Sequence, residues 1–483
     1  MHAVGVDDAH YDYTKLYYCL ACWLTRRESR IKETPDQRII VSIRRFMNLL
    51  SISVLLALTA LSFGATNGLA AAPGAQIIAS PEPDWPQFRG PRRDGVSDER
   101  GLLQTWPEGG PKVLWSTGKL GRGYSSPVIV RDRIFITGEV EGELRLFALD
   151  RQGQPAWNVA HGGAWMNPYP GARATPTYSD GKLYLMNAHG RIGCFDAGTG
   201  REKWSVEVLE RFGGKNITWG LSECLLVDDR AVYVTAGGSK ALLVALDKEN
   251  GSVLWQSAPL ADTAGDGSVE NASYVSPVLV RFAGRRLLVG CSLRHLYCAD
   301  ADTGTIQWTR RFPTAYGVIS IMPALVGNGV FMTAPHGKDG ALFLLQPPDG
   351  PGAKVGATEG WTTTLDTLQG CVLSVGNKIV GSFYGGRKGW AAVSAATGAI
   401  LYQSSDLVKG APLLADGRLY ALCEDGWMRL LEAGDQQFHE HGRFRLAEAK
   451  RDAWAHPVVF DGRLYLRYHE TLTSYDVRAP QAR

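Results

Sequence analysis

Short apolar runs separated by turn-forming residues repeat along most of this chain. Residues 174–207, ATPTYSDGKLYLMNAHGRIGCFDAGTGREKWSVE, contain four such runs, which are broken at residues 179–181, 189–190 and 197–200. Runs of this length, rich in Tyr, Leu, Ile and Phe and interrupted by Gly and Asp, are typical of antiparallel strands joined by hairpins. A single four-stranded meander cannot bury both of its faces, so we expect it to pack between copies of itself.

Eight copies of this unit follow one another, about 47 residues apart. Glu223 and Cys371 occupy a fixed place in the first strand of two copies, and the other six carry a proline there: Pro127, Pro176, Pro277, Pro323, Pro412 and Pro457. The fourth strand ends in an aromatic residue in seven copies: Trp157, Trp204, Trp255, Trp308, Trp361, Tyr402 and Phe444. Because each repeat packs mainly on its neighbours, this spacing predicts one large repeat domain.

The two ends of the repeat pattern complement each other. Trp115, in the run KVLWS, precedes the first copy, and the last copy stops after its third strand near Tyr475. A strand around Trp115 can therefore complete the last blade and close the ring, which leaves no free strand edge. The sequence predicts an all-β, eight-bladed antiparallel β-propeller over residues 112–478, with four strands per blade.

Residues 1–70 lack this pattern and carry the features of a secretory signal. The apolar run at 48–63 follows Arg44 and Arg45, precedes a stretch of small residues, and is shorter than the ~20 residues that span a bilayer. These features predict a signal peptide that is cleaved near Ala70, with Met47 as an alternative start of the chain. We therefore expect export to the periplasm or cell envelope and no stable membrane span after processing; the alternative is a single membrane anchor.

The leader, residues 71–111, is rich in Pro, Gly and charged residues and has neither strand nor helix periodicity. Trp85, Phe88 and Trp106 lie within it, and three large aromatic side chains would be costly to leave in water. We therefore expect the leader to pack on the ring.

The charge balance and the cysteine spacing give no indication of a nucleic-acid partner or of a cysteine metal site. Residues 1–70 contain 8 of the 51 basic and 6 of the 48 acidic side chains, so 43 basic and 42 acidic side chains remain. Such a balance does not indicate a nucleic-acid partner. Cys291 and Cys298 fall on adjacent strands of one hairpin and are either buried thiols or a disulfide, and no cysteine pair shows the spacing of a metal site.

The turn and aromatic residues of the repeat resemble a known family. DAGTGREKW at 196–204, DKENGSVLW at 247–255 and DADTGTIQW at 300–308 resemble the PQQ-type repeat of quinoprotein dehydrogenases. WPQFRGP at 85–91 is similar to the leader of exported PQQ-like propellers, a group that includes BamB-type propellers. The resemblance implies that one aromatic residue per blade docks onto the next blade: Trp115, Trp157, Trp204, Trp255, Trp308, Trp361 and Tyr402.

The resemblance implies two different functions. BamB-type propellers are binding scaffolds, whereas quinoprotein alcohol dehydrogenases hold PQQ and Ca²⁺ in the channel, typically beside a disulfide between adjacent cysteines. No two cysteines are adjacent here, and no Cys follows the apolar run to suggest a lipid anchor. We expect an exported scaffold that binds a protein or a small molecule at its loop face, with no cofactor assigned. The alternative is a PQQ- and Ca-dependent alcohol or sugar dehydrogenase.

Residues just before each inner strand of a propeller face the mouth of the central channel. The candidates for ligand binding there, with Trp165 from an aromatic-rich insertion that is either a lid or a ligand platform, are Arg122, Tyr124, Trp165, Arg173, Trp219, Glu223, Tyr274, Tyr316, Lys409, Trp454 and His456. Glu223 replaces the proline of the repeat, so it is the candidate calcium ligand or general base. The alternative is a structural carboxylate paired with Arg122 or Arg173. No other catalytic residue and no metal site are predicted.

Overall fold

The computed structural model describes residues 74–480, except Gly337, Gly386 and Glu448. The predicted signal peptide, its cleavage point near Ala70 and the alternative start at Met47 lie outside the described residues. Within the described part of the chain, no helix is both long enough and apolar enough to cross a membrane.

Three strands precede the first blade: β1 (Gln76–Ile77), β2 (Val96–Ser97) and β3 (Lys112–Thr117). Blades 1 and 2 comprise β4 (Val128–Val130), β5 (Arg133–Val140), β6 (Glu143–Asp150), β7 (Pro155–Gly163), then β8 (Thr177–Ser179), β9 (Lys182–Met186), β10 (Arg191–Asp196), β11 (Glu202–Glu207). The short helix α1 (Val208–Phe212) follows. Blades 3 and 4 comprise β12 (Leu226–Val227), β13 (Ala231–Thr235), β14 (Leu243–Asp247), β15 (Val253–Gln256), then β16 (Val278–Phe282), β17 (Arg285–Cys291), β18 (His295–Asp300), β19 (Ile306–Arg311).

Blades 5 and 6 comprise β20 (Ala324–Val326), β21 (Gly329–Ala334), β22 (Lys338–Gln346), β23 (Gly356–Thr363), then β24 (Leu373–Val375), β25 (Lys378–Ser382), β26 (Trp390–Ser394), β27 (Ile400–Ser404). Blades 7 and 8 comprise β28 (Gly410–Ala415), β29 (Arg418–Cys423), β30 (Trp427–Ala433), β31 (Phe438–Arg445), then β32 (Val458–Phe460), β33 (Arg463–Tyr468), β34 (Thr471–Asp476). The eight antiparallel sheets confirm the predicted propeller.

The predicted ring closure is also confirmed. β3 pairs antiparallel with β34, with Trp115 opposite Ser474, so a strand from before blade 1 is the outer strand of blade 8. The leader adds two further strands at inner edges, because β1 pairs with β16 and β2 pairs in parallel with β28. The inner strands of blades 4 and 7 thereby gain a partner on the side that faces the channel.

The strand directions give the ring two distinct ends. The chain enters each inner strand at one end, and because the strands alternate in direction, the hairpin between the second and third strands returns to that same end. We call this end the cavity face. The turns between first and second strands lie at the opposite end, the far face, where leader residues cap them: the Asp180 N–H donates to Glu82 (2.6 Å) and the Asp461 N–H donates to Glu99 (2.8 Å).

The leader crosses the channel at the far face. Its backbone pairs with Ile129 of blade 1 through Trp85, and the Arg89 guanidinium donates to the Val372 carbonyl of blade 6 (2.8 Å). Gly95 accepts from the Leu414 N–H of blade 7 (2.9 Å). Because these bonds join blades on different sides of the ring, the segment 85–97 closes the far end of the channel.

The aromatic residue at the end of each outer strand lies against the next blade. The indole N–H of Trp115, Trp204, Trp255 and Trp361 donates to a backbone carbonyl there, at 2.8–3.2 Å, and the Tyr402 hydroxyl donates to Gly434 O at 2.7 Å. Trp157 lies over Gly200 of the next blade, and Trp308 is buried between blades 4 and 5. These contacts fit a docking role, because a large aromatic ring fills the gap between two sheets.

The glycine under Trp157 offers a test of this packing. Gly200 has a φ of +74°, and a Cβ atom there would lie 2.6 Å from the Trp157 ring. Gly200→Ala should lower the free energy of unfolding by about 2–4 kcal/mol, because it adds a steric clash to the backbone strain. Gly181→Ala is the matched control: its φ is +72°, but nothing lies within 4 Å, so only the strain of about 1 kcal/mol is expected. Equal losses in urea denaturation would show that Trp157 is not tightly packed.

The cysteines do not link the strands. The six described cysteines are buried and free, and Cys291 and Cys298 are not opposite each other, since Cys291 pairs with Leu296 and Cys298 with Val289. Of the two possibilities left open by the sequence, the buried thiols are the ones found.

Candidate functional site

A cavity of about 630 Å³ occupies the cavity-face end of the channel, and all eight blades contribute to it. Eight of the eleven residues proposed from the sequence line it: Tyr124, Arg173, Trp219, Tyr274, Tyr316, Lys409, Trp454 and His456. Each lies in the segment that leads into an inner strand. Phe88 of the leader lies at the floor, with its ring 4.8 Å from the His456 ring. The cavity is therefore open at one end only.

Arg122, Trp165 and Glu223 are not among the lining residues. Arg122 exchanges two backbone hydrogen bonds with Glu139, at 2.8 and 2.9 Å, which fixes it in the β5 edge. Trp165 donates its indole N–H to Pro168 O (3.1 Å) and packs over Gly220, so it supports the loop from behind rather than facing a ligand.

Glu223 lies behind the wall of the cavity. The side chains of successive residues in an extended segment alternate between faces, and Cys224 faces the cavity, so Glu223 points the other way. Its carboxylate accepts a hydrogen bond from the Thr235 N–H (3.1 Å), and the nearby cation is Arg93 of the leader rather than Arg122 or Arg173. Burial raises the pKa of Glu223 to about 8, against the opposing effects of Thr235 and Arg93.

The raised pKa of Glu223 predicts a pH-dependent stability. An unfolded chain releases this proton near the ordinary value of 4.5, whereas the folded chain holds it up to about 8, so stability should fall as the pH rises between these values. Glu223→Gln should remove up to about 5 kcal/mol of this loss and be more stable than the wild type at pH 9. Melting temperatures from pH 4 to 9 test this, with the exposed Glu210→Gln as control. Parallel profiles for the wild type and Glu223→Gln would contradict it.

Further lining residues come from the hairpins between second and third strands. His336 follows β21, Tyr384 follows β25 and Glu424 follows β29. Sequence reasoning drew its candidates for the lining from the entries into the inner strands and from one aromatic-rich insertion, so it placed none of these three in the lining. The signal was available, because strand alternation places both kinds of connection at the same end of the ring.

Aromatic rings form most of the cavity wall. The ring centre of Trp454 lies 4.9 Å from that of Tyr124 and 5.2 Å from that of Tyr169. The ring centres of Trp219 and Tyr274 are 6.0 Å apart. On the other side, the His336 ring lies 5.2 Å from that of Tyr384. Such walls suit a flat or apolar ligand body, since aromatic faces contribute large contact areas at little entropic cost.

The charged groups of the cavity differ in how they are paired. The Lys409 Nζ lies 3.7 Å from the Glu424 Oε2 and 3.8 Å from the centre of the Tyr384 ring. Burial raises the pKa of Glu424, while Lys409 and Trp454 act in the opposite direction. His456 is neutral, because burial and Arg89 lower its pKa to about 3, and its Nε2–H donates to Gln369 O at 2.9 Å.

The comparison with protein families identifies the repeat. A family model described as outer membrane protein assembly factor BamB matches residues 96–218, 140–273 and 240–350, which together exceed half of the chain. The chain belongs to this family. A BamB of Alkalilimnicola ehrlichii is 29% identical over 230 residues, with 47% of this chain and 52% of the relative covered.

Dehydrogenases match this BamB-family propeller as well. Quinoprotein ethanol dehydrogenase of Pseudomonas putida is 24% identical over 226 residues, which cover 43% of this chain and 32% of the relative. The chain thus spans about half the length of the BamB relative and about a third of the dehydrogenase.

Solved structures share the fold. BamB from Moraxella catarrhalis aligns with a TM-score of 0.53 and 16% identity over 76% of this chain and 99% of that one. Quinohemoprotein alcohol dehydrogenase from Comamonas testosteroni aligns with a TM-score of 0.54 and 13% identity over 83% of this chain and 81% of that one. At these identities the likeness concerns the fold alone.

Proposed function

We propose that this protein is an exported propeller of the cell envelope that acts as a binding scaffold through its cavity face. The observation that carries the proposal is the asymmetry of the exposed apolar side chains. Five of the eight large apolar residues that are exposed in the described chain lie in connections at the cavity face: Met166, Tyr169, Val269, Tyr316 and Val408. Exposed apolar groups concentrated around a cavity mark a binding surface.

The family match also supports a binding scaffold in the cell envelope. The matching family and several relatives are named as outer membrane protein assembly factors, which is a binding role in the cell envelope. Export of this chain rests on the predicted signal peptide. We therefore expect a partner protein or a small ligand from the envelope, and the even charge balance gives no reason to expect nucleic acid.

A quinoprotein dehydrogenase is the second candidate, favoured by the dehydrogenase relatives and by a cavity at the channel mouth. The donor set of the cavity does not fit a calcium-bound quinone. Glu424 and Asp452 are the carboxylates of the lining, and Glu424 is already paired with Lys409. Among the described residues, no group of three His, Cys, Asp or Glu is placed to hold a metal ion. Calcium prefers six to eight oxygen ligands with carboxylates among them, and the two carboxylates of this lining include one that is already paired with a lysine.

Reconstitution of the purified protein tests the choice between these functions. The protein is incubated with PQQ and Ca²⁺, and alcohols and sugars are offered together with a redox dye. We expect no calcium-dependent, substrate-driven dye reduction. Dye reduction that is lost in Glu424→Ala but retained in the exposed Glu210→Ala would overturn the scaffold proposal and locate an active site in the cavity.

The compartment is tested separately. Fractionation of cells that express the full chain should place the protein in the envelope, and sequencing of its N-terminus should give a start near residue 71. A cytoplasmic protein that retains residues 48–70 would contradict the proposed export.

A further inference from the structure

We propose that Arg173 anchors the carboxylate of a small, flat organic acid that occupies the cavity. This inference rests on the proposed binding function of the cavity face and adds the chemical class of a ligand. Its starting point is a cation in the cavity wall that no acidic side chain of the described chain neutralises.

Arg173 is held in place by the backbone, while its Nη1 has no hydrogen-bond partner in the described part of the chain. It lies in the segment before β8, and its Nη2 donates to Pro168 O (3.1 Å) and Tyr169 O (3.0 Å). Its Nε is buried and has no partner within the described part of the chain. Burial lowers the pKa of Arg173 to about 10, so the group remains charged at neutral pH.

The other cation of the lining is different, because Lys409 faces Glu424 at 3.7 Å. Arg173 forms no ion pair among the described residues. Most of the other partly buried arginines in the described chain do form one, as Arg191 does with Glu202. A partly buried charge without a counter-ion costs stability, and a ligand carboxylate at Arg173 would offset that cost. A guanidinium with a free Nη1 suits a carboxylate, to which it can donate charge-assisted hydrogen bonds.

The surroundings of Arg173 favour a flat body behind that carboxylate. Two tyrosines lie close to the Arg173 guanidinium, Tyr124 and Tyr274. Their hydroxyl groups act to raise the pKa of Arg173, against the effect of burial. Trp454 packs beside Tyr124, and Trp219 packs beside Tyr274. A ring attached to the carboxylate would thus contact aromatic faces on both sides.

The shape of the cavity favours a small molecule over a polypeptide. Its volume of about 630 Å³ lies in the range of small-molecule sites, and the leader closes its floor at Phe88. A helix, about 10–12 Å across with its side chains, could not pass through to the far face. The polar residues Ser320 and Gln369 also line the cavity.

Isothermal titration calorimetry with naphthoate and its uncharged counterpart naphthamide tests the inference. The wild type should bind naphthoate at least about tenfold more tightly than naphthamide, because only the acid offers a partner to Arg173. Arg173→Gln should abolish this preference without changing the affinity for naphthamide, and Arg173→Lys should retain part of it. Arg201→Gln, an exposed arginine of the same blade, is the control and should bind both compounds as the wild type does.

Equal affinities of the wild type for the two compounds, or the absence of binding by either at millimolar concentration, would overturn the inference without any variant. An unchanged preference in a folded Arg173→Gln variant would also overturn it. Failure here is distinguishable from failure of the scaffold proposal: a protein that still contacts a partner through its cavity face but does not prefer the acid remains a scaffold and lacks the anion site.

Discussion

Replacing Arg467 by methionine is expected to lower the free energy of unfolding by about 3–5 kcal/mol. Arg467 lies in β33 of blade 8 and is 1% exposed. Its guanidinium donates to carbonyls of blade 1 and of the segment leading into it, Gly121 (3.1 Å), Ser125 (3.2 Å) and Thr137, and to His469 O (2.8 Å). Methionine keeps much of the volume but leaves buried carbonyl groups without donors at the junction that closes the ring.

Urea denaturation followed by circular dichroism measures this effect. Arg478→Met is the matched control, because Arg478 lies just after β34 in the same blade, is largely exposed and pairs with Asp476 at 2.8 Å. It should cost less than about 1 kcal/mol. Similar losses for the two variants would mean that Arg467 does not bind the two terminal blades together.

Arg93→Met is expected to detach the leader and lower the free energy of unfolding by about 2–4 kcal/mol. Arg93 is 3% exposed and donates to Cys224 O (2.6 Å), Leu225 O (3.1 Å) and the Gln87 side chain (3.0 Å). Two of these acceptors belong to blade 3, so the side chain pins the leader across the channel. Its removal should also expose residues 85–97 to proteases.

The neighbouring residue provides the control. Arg92 pairs with Asp94 and Asp98 at the surface, within the leader itself, so Arg92→Met should leave both the stability and the protease resistance nearly unchanged. Limited proteolysis with mass spectrometry would show the cleavage sites. An Arg93→Met protein that is as resistant as the wild type would contradict the role of the leader as the floor of the cavity.

Most of the fold could be predicted from local residue patterns. The turn residues near Asp180 and Gly200 mark strand ends, and the aromatic residue before each new blade gives the repeat length, so eight blades and the closing strand at Trp115 follow from the sequence. These features are local, and a repeat protein converts local features into global architecture.

The site was less predictable because it depends on contacts between distant segments. The rule that residues before inner strands face the mouth placed Arg173 and Trp454 in the lining, but it also selected Glu223, whose side chain points away. The rule does not cover Tyr384 and Glu424, which line the cavity from hairpins between second and third strands. Among the described residues Arg173 has no acidic partner, which depends on the carboxylates that other blades bring near it, and no spacing within one repeat contains that information.

Site-specific photo-cross-linking tests the central claim, that the cavity face is the binding face. A benzophenone amino acid replaces Tyr316, 66% exposed at the cavity rim, or Leu401, 45% exposed on the outer strand of blade 6. After irradiation of living cells, gels and intact-mass analysis detect adducts of any size. We predict adducts at Tyr316 and none at Leu401. Adducts at Leu401 alone, or none at Tyr316, would contradict the account.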